Sequence, residues 1–224
     1  MYNLKVTFIR HGETQSNVRG LISGRSDVLV SQEGWRLLKE LKANYSYPTV
    51  EKVYSSPAIR CRETASVFFP EHDPVLIDNL WEFDFGHYDN RPVAEMYEHI
   101  DSEKWLRQDS DLCFPGGESL LEGSFRARAA MTRVVADAKA HGLHEVAVVS
   151  HGETLALLLQ YCLITDEPRE SFVLCPNGMG YSATIDADTW FENQKLYFDR
   201  FIPEGAPRPK PEDSPYFSRT EAEK

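Results

Sequence analysis

The chain has 224 residues, 42% of them hydrophobic, which is enough to bury the core of one large domain. Its net charge of −11 disfavours nonspecific binding to nucleic acid or anionic lipid, because both need a basic surface. No apolar stretch approaches the length of a membrane span, and the first residues lead straight into a predicted strand rather than a secretory signal. Neither a CxxC pair nor a metal-type cluster occurs among the four cysteines, Cys61, Cys113, Cys162 and Cys175. Together these features predict a cytoplasmic protein with reduced thiols and no nucleic-acid or membrane partner.

Strands and helices alternate along most of the chain. Short β-branched or apolar runs predict strands at residues 4–9, 52–54, 75–77 and 145–150. Apolar residues at helical spacing predict helices at residues 32–44, 58–68, 120–141 and 154–162. Ser31 and Ser119 are suited to cap the first and third of these helices, and Pro57 stands where the second is expected to begin. The alternation is typical of an α/β fold with a mostly parallel central sheet flanked by helices.

Three segments depart from this alternation. Residues 92–108 carry two short helical patterns and are predicted as a small insertion over one end of the sheet. Residues 179–185 and 195–201 are predicted as strands of an antiparallel hairpin at the sheet edge. From residue 203 the chain becomes rich in proline and charge. We therefore expect one domain over residues 1–202 and a tail over residues 203–224. The tail is either solvated, docked over the site or docked onto a second subunit. A homodimer is therefore one of the alternatives for the oligomeric state.

The same four residues, His-Gly-Glu-Thr, follow two short apolar strands, at residues 11–14 and 151–154. In open α/β sheets ligands bind at the carboxyl ends of the strands, so we expect His11 and His151 to meet in one site. Arg10 beside the first histidine favours an anion, since a guanidinium forms forked hydrogen bonds with phosphate. From the residues alone, each histidine could be a nucleophile, a base, a metal ligand or a core residue.

A metal site is the main alternative for the two histidines. Glu13 and Glu153 would then be further ligands for zinc or manganese. Arginines aimed at the same place would repel a dication, so we expect no metal.

A further cation, Arg60, is predicted in the first turn of the helix that follows Pro57. A helix N-terminus favours anions, so a cation placed there needs a compensating partner, and a bound phosphate is one such partner. Arg62 lies two positions on and faces elsewhere, so we expect it to be solvated or in a salt bridge.

Two carboxylates with aromatic neighbours, Glu82 and Asp84, are candidates for proton transfer. Burial against such neighbours raises the pKa of a carboxyl group and makes it a usable proton donor near neutral pH. Their spacing of two residues does not decide which of them is catalytic.

These motifs, in this order, resemble the histidine phosphatase superfamily, also called the phosphoglycerate mutase-like family. The resemblance covers nearly all of residues 4–185. It rests on Arg10-His11-Gly12-Glu13-Thr14 with Asn17, Ser23-Gly24-Arg25 with Asp27, Tyr54-Ser55-Ser56-Pro57 with Arg60, Leu80, Glu82, Phe85-Gly86, Pro115-Gly116-Gly117-Glu118-Ser119, Ser150-His151-Gly152 and Asn177-Gly178. The fold it implies is a three-layer α/β sandwich with a small helical insertion over the site.

The resemblance also implies roles for individual residues. His11 is similar to the family's nucleophile, which forms a phosphohistidine and so divides one difficult displacement into two easier ones. Glu82 is similar to the general acid that protonates the leaving oxygen and later, as a base, activates water. The implied phosphate pocket consists of Arg10, Arg60 and His151, with Asn17, Ser23 and the backbone N–H groups of Gly24 and Gly152 as weaker candidates. No metal or organic cofactor is implied.

The interval between Gly86 and Gly116 bears on the choice between phosphatase and mutase. Mutases of this family resemble one another in a longer insertion with extra basic residues. In this chain the interval contains seven carboxylates and only three cations, Arg91, Lys104 and Arg107. We therefore expect a phosphatase that acts on a small phosphorylated metabolite. A phosphoglycerate mutase-type enzyme and a catalytically silent phosphate-binding module are the alternatives.

Two features concern the substrate side of the site. Asn90 stands where many relatives have a glycine, so this loop is expected to differ from theirs. The surrounding aromatic residues suggest a leaving group with an apolar or planar part, although they could equally belong to the core. These residues are Trp81, Phe83, Phe85, Tyr88, Trp105 and Phe114.

Overall fold

A computed structural model describes residues 1–101, 104–105, 109–167 and 175–207. Its strands are β1 (Asn3–Arg10), β2 (Lys52–Ser55), β3 (Val75–Leu76), β4 (Glu145–Ser150), β5 (Leu163–Ile164), β6 (Gly180–Asp186) and β7 (Leu196–Ile202). Its helices are α1 (Gln15–Val18), α2 (Gln32–Asn44), α3 (Ile59–Phe68), α4 (Val93–His99), α5 (Leu120–His141), α6 (Gly152–Cys162) and α7 (Trp190–Asn193). Two short 3₁₀ helices, Asp78–Leu80 and Gly86–Tyr88, lie between β3 and α4.

The seven strands form one sheet in the order β3-β2-β4-β1-β6-β7-β5. All neighbouring pairs are parallel except those of β6, which runs antiparallel to both β1 and β7. The mostly parallel sheet predicted from the sequence is therefore confirmed. Parallel strands place their carboxyl ends at one edge, so β1 and β4 both end where a ligand is expected.

Helices cover both faces of the sheet, which confirms the three-layer arrangement. On one face, residues such as Val6 and Phe8 pack with apolar residues of α5, α6 and α7, including the fully buried Trp190. On the other face, Ile9 and Val149 pack with α2 and α3. Neighbouring residues of one strand thus serve opposite faces, as the alternation of side chains along a strand requires.

A third apolar cluster joins α4 to the segment that carries the candidate acid. Met96 of α4 packs in this cluster with Phe83 and Phe85, which follow Glu82 in that segment. The backbone of Ile22 donates to Arg91 O and so ties the Gly/Ser-rich loop to the same region. The predicted insertion therefore lies beside the site, although residues 102–103 and 106–108 are outside the described part of the chain.

Two predictions about element positions were wrong. The second helix begins at Ile59 rather than at Pro57, because Ala58 keeps an extended conformation and acts as the N-cap. The β6–β7 hairpin is antiparallel as predicted but does not lie at the sheet edge, since β5 pairs with β7 on its outer side. A two-residue strand such as β5 carries too little alternation to be recognised from sequence. Residues 208–224, most of the predicted tail, lie outside the described residues.

Candidate active site

The two repeated histidines meet at the carboxyl ends of adjacent strands. The parallel register of β1 and β4 pairs Arg10 with Ser150, and each histidine is the next residue. The His11 N–H donates to Ser150 O at 2.9 Å, and the His11 and His151 rings lie edge to face with centroids 5.2 Å apart. Sheet topology therefore brings together two rings that are 140 positions apart in sequence.

The His11 ring is held in one tautomer. Its Nδ1 lies 2.8 Å from Gly12 O, and since a carbonyl only accepts, Nδ1 carries the proton. In the neutral ring Nε2 then carries no proton and keeps its lone pair. It forms no hydrogen bond to any residue of the described ranges. Burial, together with the charges of Arg60 and Arg10, holds the pKa of His11 well below its usual value. A neutral imidazole with one free ring nitrogen is the form that a nucleophile requires.

The backbone around His11 is fastened from two distant segments. Asn177 donates through Nδ2 to His11 O at 2.8 Å, and the Gly12 N–H donates to Thr64 Oγ1 at 2.8 Å. These two bonds restrict the backbone just after β1, because side chains bind both the His11 carbonyl and the Gly12 N–H.

Arg60 is fully buried in the first turn of α3. Its Nη1 donates to Ser26 O at 2.9 Å, and its Nη2 donates to Gly24 O at 3.0 Å and Ser23 O at 3.3 Å. The expected compensating partner is thus provided in large part by carbonyls of the Gly/Ser-rich loop. One Nη1 N–H has no protein acceptor within the described residues, so this guanidinium keeps a donor for an anion. Arg62 is exposed, as expected.

Asp89 organises the loop that surrounds Arg60. Its Oδ1 accepts the Gly24 N–H at 2.8 Å, and its Oδ2 accepts the Ser26 N–H at 2.8 Å and the Ser26 hydroxyl at 2.9 Å. This corrects the expectation for Gly24, since its N–H is not free to bind phosphate. Asp27 of the same loop accepts the Ile59 N–H at 2.8 Å and so caps α3 from outside the helix.

His151 differs from His11 in that both ring nitrogens are occupied. Nδ1 accepts from Arg60 Nε at 3.2 Å, so the proton lies on Nε2, which donates to Ser56 Oγ at 2.8 Å. The Cys61 thiol lies 3.5 Å from Nε2, and the Trp81 ring is nearly parallel to the imidazole at 6.4 Å. Burial first, and then the charge of Arg60, hold the pKa of His151 well below its usual value. In this structure His151 orients Arg60, and direct contact with a phosphate would require one of these bonds to be exchanged.

Arg10 lies against the start of α6. Its Nη1 donates to Cys175 O at 2.8 Å, and a side chain at Gly152 would come within 3.3 Å of the guanidinium. Any larger residue at this position would therefore push the guanidinium away by a few tenths of an ångström. Within the described ranges, the Nε atom of Arg10 and the hydroxyl of Ser23 are buried polar atoms that lack a hydrogen-bond partner. Such atoms are rare unless a ligand or ion satisfies them, so both fit the predicted role in anion binding.

Glu82 is buried, with 6% of its surface exposed, at the N-terminus of α6. Its Oε1 accepts from Thr154 N at 3.0 Å and from Phe83 N at 2.8 Å. The Thr154 hydroxyl lies 3.2 Å from Oε1 but has a shorter acceptor, Trp81 O at 2.8 Å, for its single proton. Its Oε2 has a single longer contact, 3.3 Å from Glu153 N, and is therefore the oxygen better placed to exchange a proton. Asp84 instead accepts the N–H of Gly86 in its own turn. Of the two candidate carboxylates, only Glu82 lies against the helix that follows His151.

The remaining predicted pocket residues take different positions. Asn17 uses its Oδ1 in a capping box with Thr14 at the start of α1. Gly152 is the first residue of α6, and the next two N–H groups of this turn, those of Glu153 and Thr154, already donate to Glu82. The sequence analysis gave no role to Asp89, although Tyr88 and Asp89 fit the pattern of an aromatic and an acid that many members of the resembled family have after Gly86.

Two expectations about the substrate side can be compared with the structure. Asn90 adopts φ +61°, a left-handed conformation that glycine favours and asparagine tolerates, so this substitution keeps the turn. The aromatic residues mostly pack on one another in the third apolar cluster, and Phe83 and Phe114 are almost completely buried. Trp81, Tyr88 and Trp105 are partly exposed, and each of them also packs against one of the apolar clusters.

The described parts of the chain contain neither a metal-type side-chain cluster nor a helix of the kind that spans a membrane. There, no cluster of three or more His, Cys, Asp or Glu side chains has the arrangement that a metal ion needs. None of the helices in these ranges combines the length and apolar character needed to cross a bilayer.

A family model described as histidine phosphatase superfamily (branch 1) matches residues 6–192. The chain belongs to this superfamily. One curated relative is a 2,3-bisphosphoglycerate-dependent phosphoglycerate mutase from Rhizobium etli, 27% identical over 69% of this chain and 78% of its own. Another is phosphoserine phosphatase 1 from Hydrogenobacter thermophilus, 29% identical over 72% of this chain and 76% of its own.

Solved structures share the fold of this superfamily member. A phosphoglycerate mutase from Bacillus anthracis superposes with a TM-score of 0.75, at 17% identity, over 89% of this chain and 92% of its own. An alpha-ribazole phosphatase from Shigella flexneri gives a TM-score of 0.66, at 21% identity, over 92% of this chain and all of its own. The relatives therefore include both mutases and phosphatases.

Proposed function

We propose that the chain is a metal-independent phosphomonoesterase that acts through a phosphohistidine on His11, with a small phosphorylated metabolite as substrate. The observation that carries this proposal is the His11 tautomer, in which Nδ1–H is bound to Gly12 O and Nε2 is free. The family to which the chain belongs, and the buried cations near this ring, support the same chemistry.

The reaction takes place in two displacements. In the first, the His11 Nε2 lone pair attacks phosphorus, the bond from phosphorus to the leaving oxygen breaks, and Glu82 gives that oxygen a proton. In the second, a water oxygen attacks phosphorus, the Nε2–phosphorus bond breaks, and Glu82 takes the proton from water. Arg10 and the free Nη1 N–H of Arg60 stabilise the charge on the phosphoryl oxygens in both transition states.

The charges beside the site favour hydrolysis over a mutase reaction. Arg91 is paired with Glu95, and Lys104 with Asp111 at 2.8 Å, so a second phosphate group would have to compete with these carboxylates. Arg107, the third cation of this interval, lies outside the described residues. A phosphoglycerate mutase-type reaction is the second candidate, because one of the relatives is a mutase of this kind. A cytoplasmic location, a homodimer and the domain boundary at residue 202 stay predictions.

The experiment is hydrolysis of p-nitrophenyl phosphate with and without EDTA, by the wild type and by His11→Ala. We expect chelator-resistant turnover that is lost in the variant, and a phosphoryl label that is trapped on the wild type only. Turnover that needs a divalent metal would contradict the proposal. Interconversion of phosphoglycerates without release of phosphate would favour the mutase, and phosphate binding without turnover would favour a silent binding module.

A further inference from the structure

Arg126 of α5 makes a set of contacts that the proposed mechanism does not use. Its side chain is 13% exposed, and its Nε and Nη2 form a two-pronged ion pair with Glu118 at 2.6 and 2.9 Å. Nη1 donates to two backbone carbonyls, Asn79 O at 2.9 Å and Trp81 O at 2.6 Å. A longer contact of 3.4 Å joins Nη2 to Glu82 O. All five N–H groups of this guanidinium are thus directed to Glu118 or to the chain at residues 79–82.

Glu118 fastens the other side of the same segment. Its Oε2 accepts the Asp84 N–H at 3.1 Å, and its own N–H donates to Asp84 O at 2.9 Å. Its Oε1 also accepts from Arg25 Nη2 at 3.2 Å. Burial acts to raise the pKa of Glu118, but hydrogen bonds and charge from Arg126 outweigh it, so the pKa is lowered and the ion pair is favoured.

The segment between these contacts has little structure of its own. Glu82 lies between two 3₁₀ helices, outside any strand or α-helix, so no regular ladder fixes its backbone. Its carboxylate is directed by the N-terminus of α6 through Thr154 and Glu153. Its backbone carbonyl and that of Trp81 are held by Arg126 of α5. Two helices therefore hold the segment: α6 binds the carboxylate and, through Thr154 Oγ1, also Trp81 O at 2.8 Å, whereas Arg126 of α5 binds backbone carbonyls only.

We propose that Arg126, held by Glu118, is a positioning residue that aims Glu82 at the leaving oxygen of the substrate. The inference rests on the acid role proposed above for Glu82. Arg126 donates to backbone carbonyls of this segment, so its hydrogen bonds reach the reaction through Glu82, while its charge also helps to lower the pKa of His151. Misplacement of a catalytic group by about 1 Å can cost on the order of 10²-fold in rate.

The leaving group reports on this role. A poor leaving group needs a proton as its bond to phosphorus breaks, whereas p-nitrophenolate departs without one. The experiment therefore measures kcat/KM for a series of substituted phenyl phosphates, from p-nitrophenyl to unsubstituted phenyl and p-methoxyphenyl. The chains are wild type, Arg126→Met, Arg126→Lys and Glu82→Gln. Arg133→Met is the matched control, because Arg133 is an exposed arginine of the same helix.

We expect Glu82→Gln and Arg126→Met to lose activity selectively, by on the order of 10²-fold for the poorest leaving group with little change for p-nitrophenyl phosphate. Arg126→Lys keeps the charge but not the two-pronged hydrogen bonding of the guanidinium, so its selective loss of kcat/KM should be intermediate. Arg133→Met should match the wild type. An equal loss of kcat/KM on every substrate in Arg126→Met, with a selective loss in Glu82→Gln, would overturn the positioning role alone. A uniform loss in Glu82→Gln would instead remove the proposed acid and this inference with it.

A second variant covers the case in which Arg126→Met does not fold. Glu118→Gln keeps the size of the side chain but replaces one acceptor oxygen by an NH₂ group, so it weakens the hold on Arg126 and on the Asp84 N–H. The same selective loss, smaller in size, is expected. A flat response across the leaving groups in a folded Glu118→Gln chain would count against the proposal.

Discussion

The two strand ends of the site carry the same four residues and use them in opposite ways. His11 donates from Nδ1 to the carbonyl of its own neighbour, Gly12, and leaves Nε2 free. His151 accepts at Nδ1 from Arg60 and donates from Nε2 to Ser56. Both rings are buried, and both have a pKa held well below the usual value for histidine. The same three residues, Gly-Glu-Thr, therefore follow one ring suited to attack and one suited to orient a cation.

The difference lies in where the partners come from. The partner that fixes the His11 tautomer is one residue away, so it is present as soon as the strand ends. The partners of His151 come from α3 and from the end of β2, so they are set only by the tertiary fold. A ring whose hydrogen bonds are all made within the protein is well suited to preorganise a charge, because it costs no rearrangement during the reaction.

The largest expected effect comes from Arg60→Met, which removes the cation from the His151 end and leaves the Gly12 contact of His11 in place. We expect kcat/KM for p-nitrophenyl phosphate to fall by roughly 10³-fold, since a donor to the transition state is lost. The loop carbonyls and His151 Nδ1 also lose their donor, and each buried group left unpaired costs about 1–3 kcal/mol. Urea unfolding measures this second effect.

Arg62→Met is the matched control for Arg60→Met, because Arg62 is exposed on the same helix. It should change neither kcat/KM nor the urea midpoint. If both variants behaved like the wild type in kcat/KM, the cationic part of the site would have to lie elsewhere.

Glu82→Gln tests whether the carboxylate at the N-terminus of α6, the helix that follows His151, supplies the proton to the leaving oxygen. We expect kcat with a poor leaving group to fall by roughly 10²-fold or more, because an amide cannot donate the acid proton. Asp84→Asn should have a small effect, since that carboxylate caps its own turn at Gly86. Steady-state assays of both amides decide the point, and loss of turnover in Asp84→Asn alone would reverse the assignment.

Much of this arrangement could be predicted from sequence because its signals are local. A β-branched run that stops at a histidine and a glycine gave the positions of His11 and His151, and parallel strands place their ends together. Capping boxes and helical spacing gave α2 and α5 almost to the residue. The tautomers could not be predicted, because the same three residues follow both histidines and the partners of His151 come from distant parts of the chain.

The rest of the site depends on contacts between segments that are far apart in the chain. The position of Arg60 predicts a compensating partner, of which a bound phosphate is one example, and loop carbonyls more than thirty positions away provide much of this compensation. Asp89 and Arg126 look like ordinary surface charges, and nothing in local spacing shows that they hold the loop of Arg60 and the segment of Glu82. Carbonyl acceptors carry no side-chain signature, so such contacts become visible only in three dimensions.

The two depressed histidine pKa values predict how stability depends on pH. In the unfolded chain each ring binds a proton below about pH 6.5, whereas in the folded chain it stays neutral, so stability falls as the pH is lowered through this range. Each neutral ring contributes a slope of at most about 1.4 kcal/mol per pH unit. Urea unfolding between about pH 7.5 and about pH 5.5 measures the slope.

Asparagine variants separate the two rings in this experiment. His11→Asn and His151→Asn should each reduce the slope by a similar amount, since both rings are buried and neither variant titrates. A slope that stays the same in one variant would mean that the corresponding ring is protonated in the folded chain. That result would contradict the tautomer assigned to it.

The smallest effect is expected for Ser56→Ala, which removes the acceptor of His151 Nε2–H and leaves Arg60 in place. An unpaired buried donor costs about 1–3 kcal/mol of stability, and we expect only a several-fold loss of kcat/KM, because Arg60 Nε still fixes the tautomer from the other side. Ser66→Ala on the exposed side of α3 is the control. Nitrogen chemical shifts of the ring should show Nε2 still protonated, and a proton found on Nδ1 would mean that Ser56, rather than Arg60, sets the state of His151.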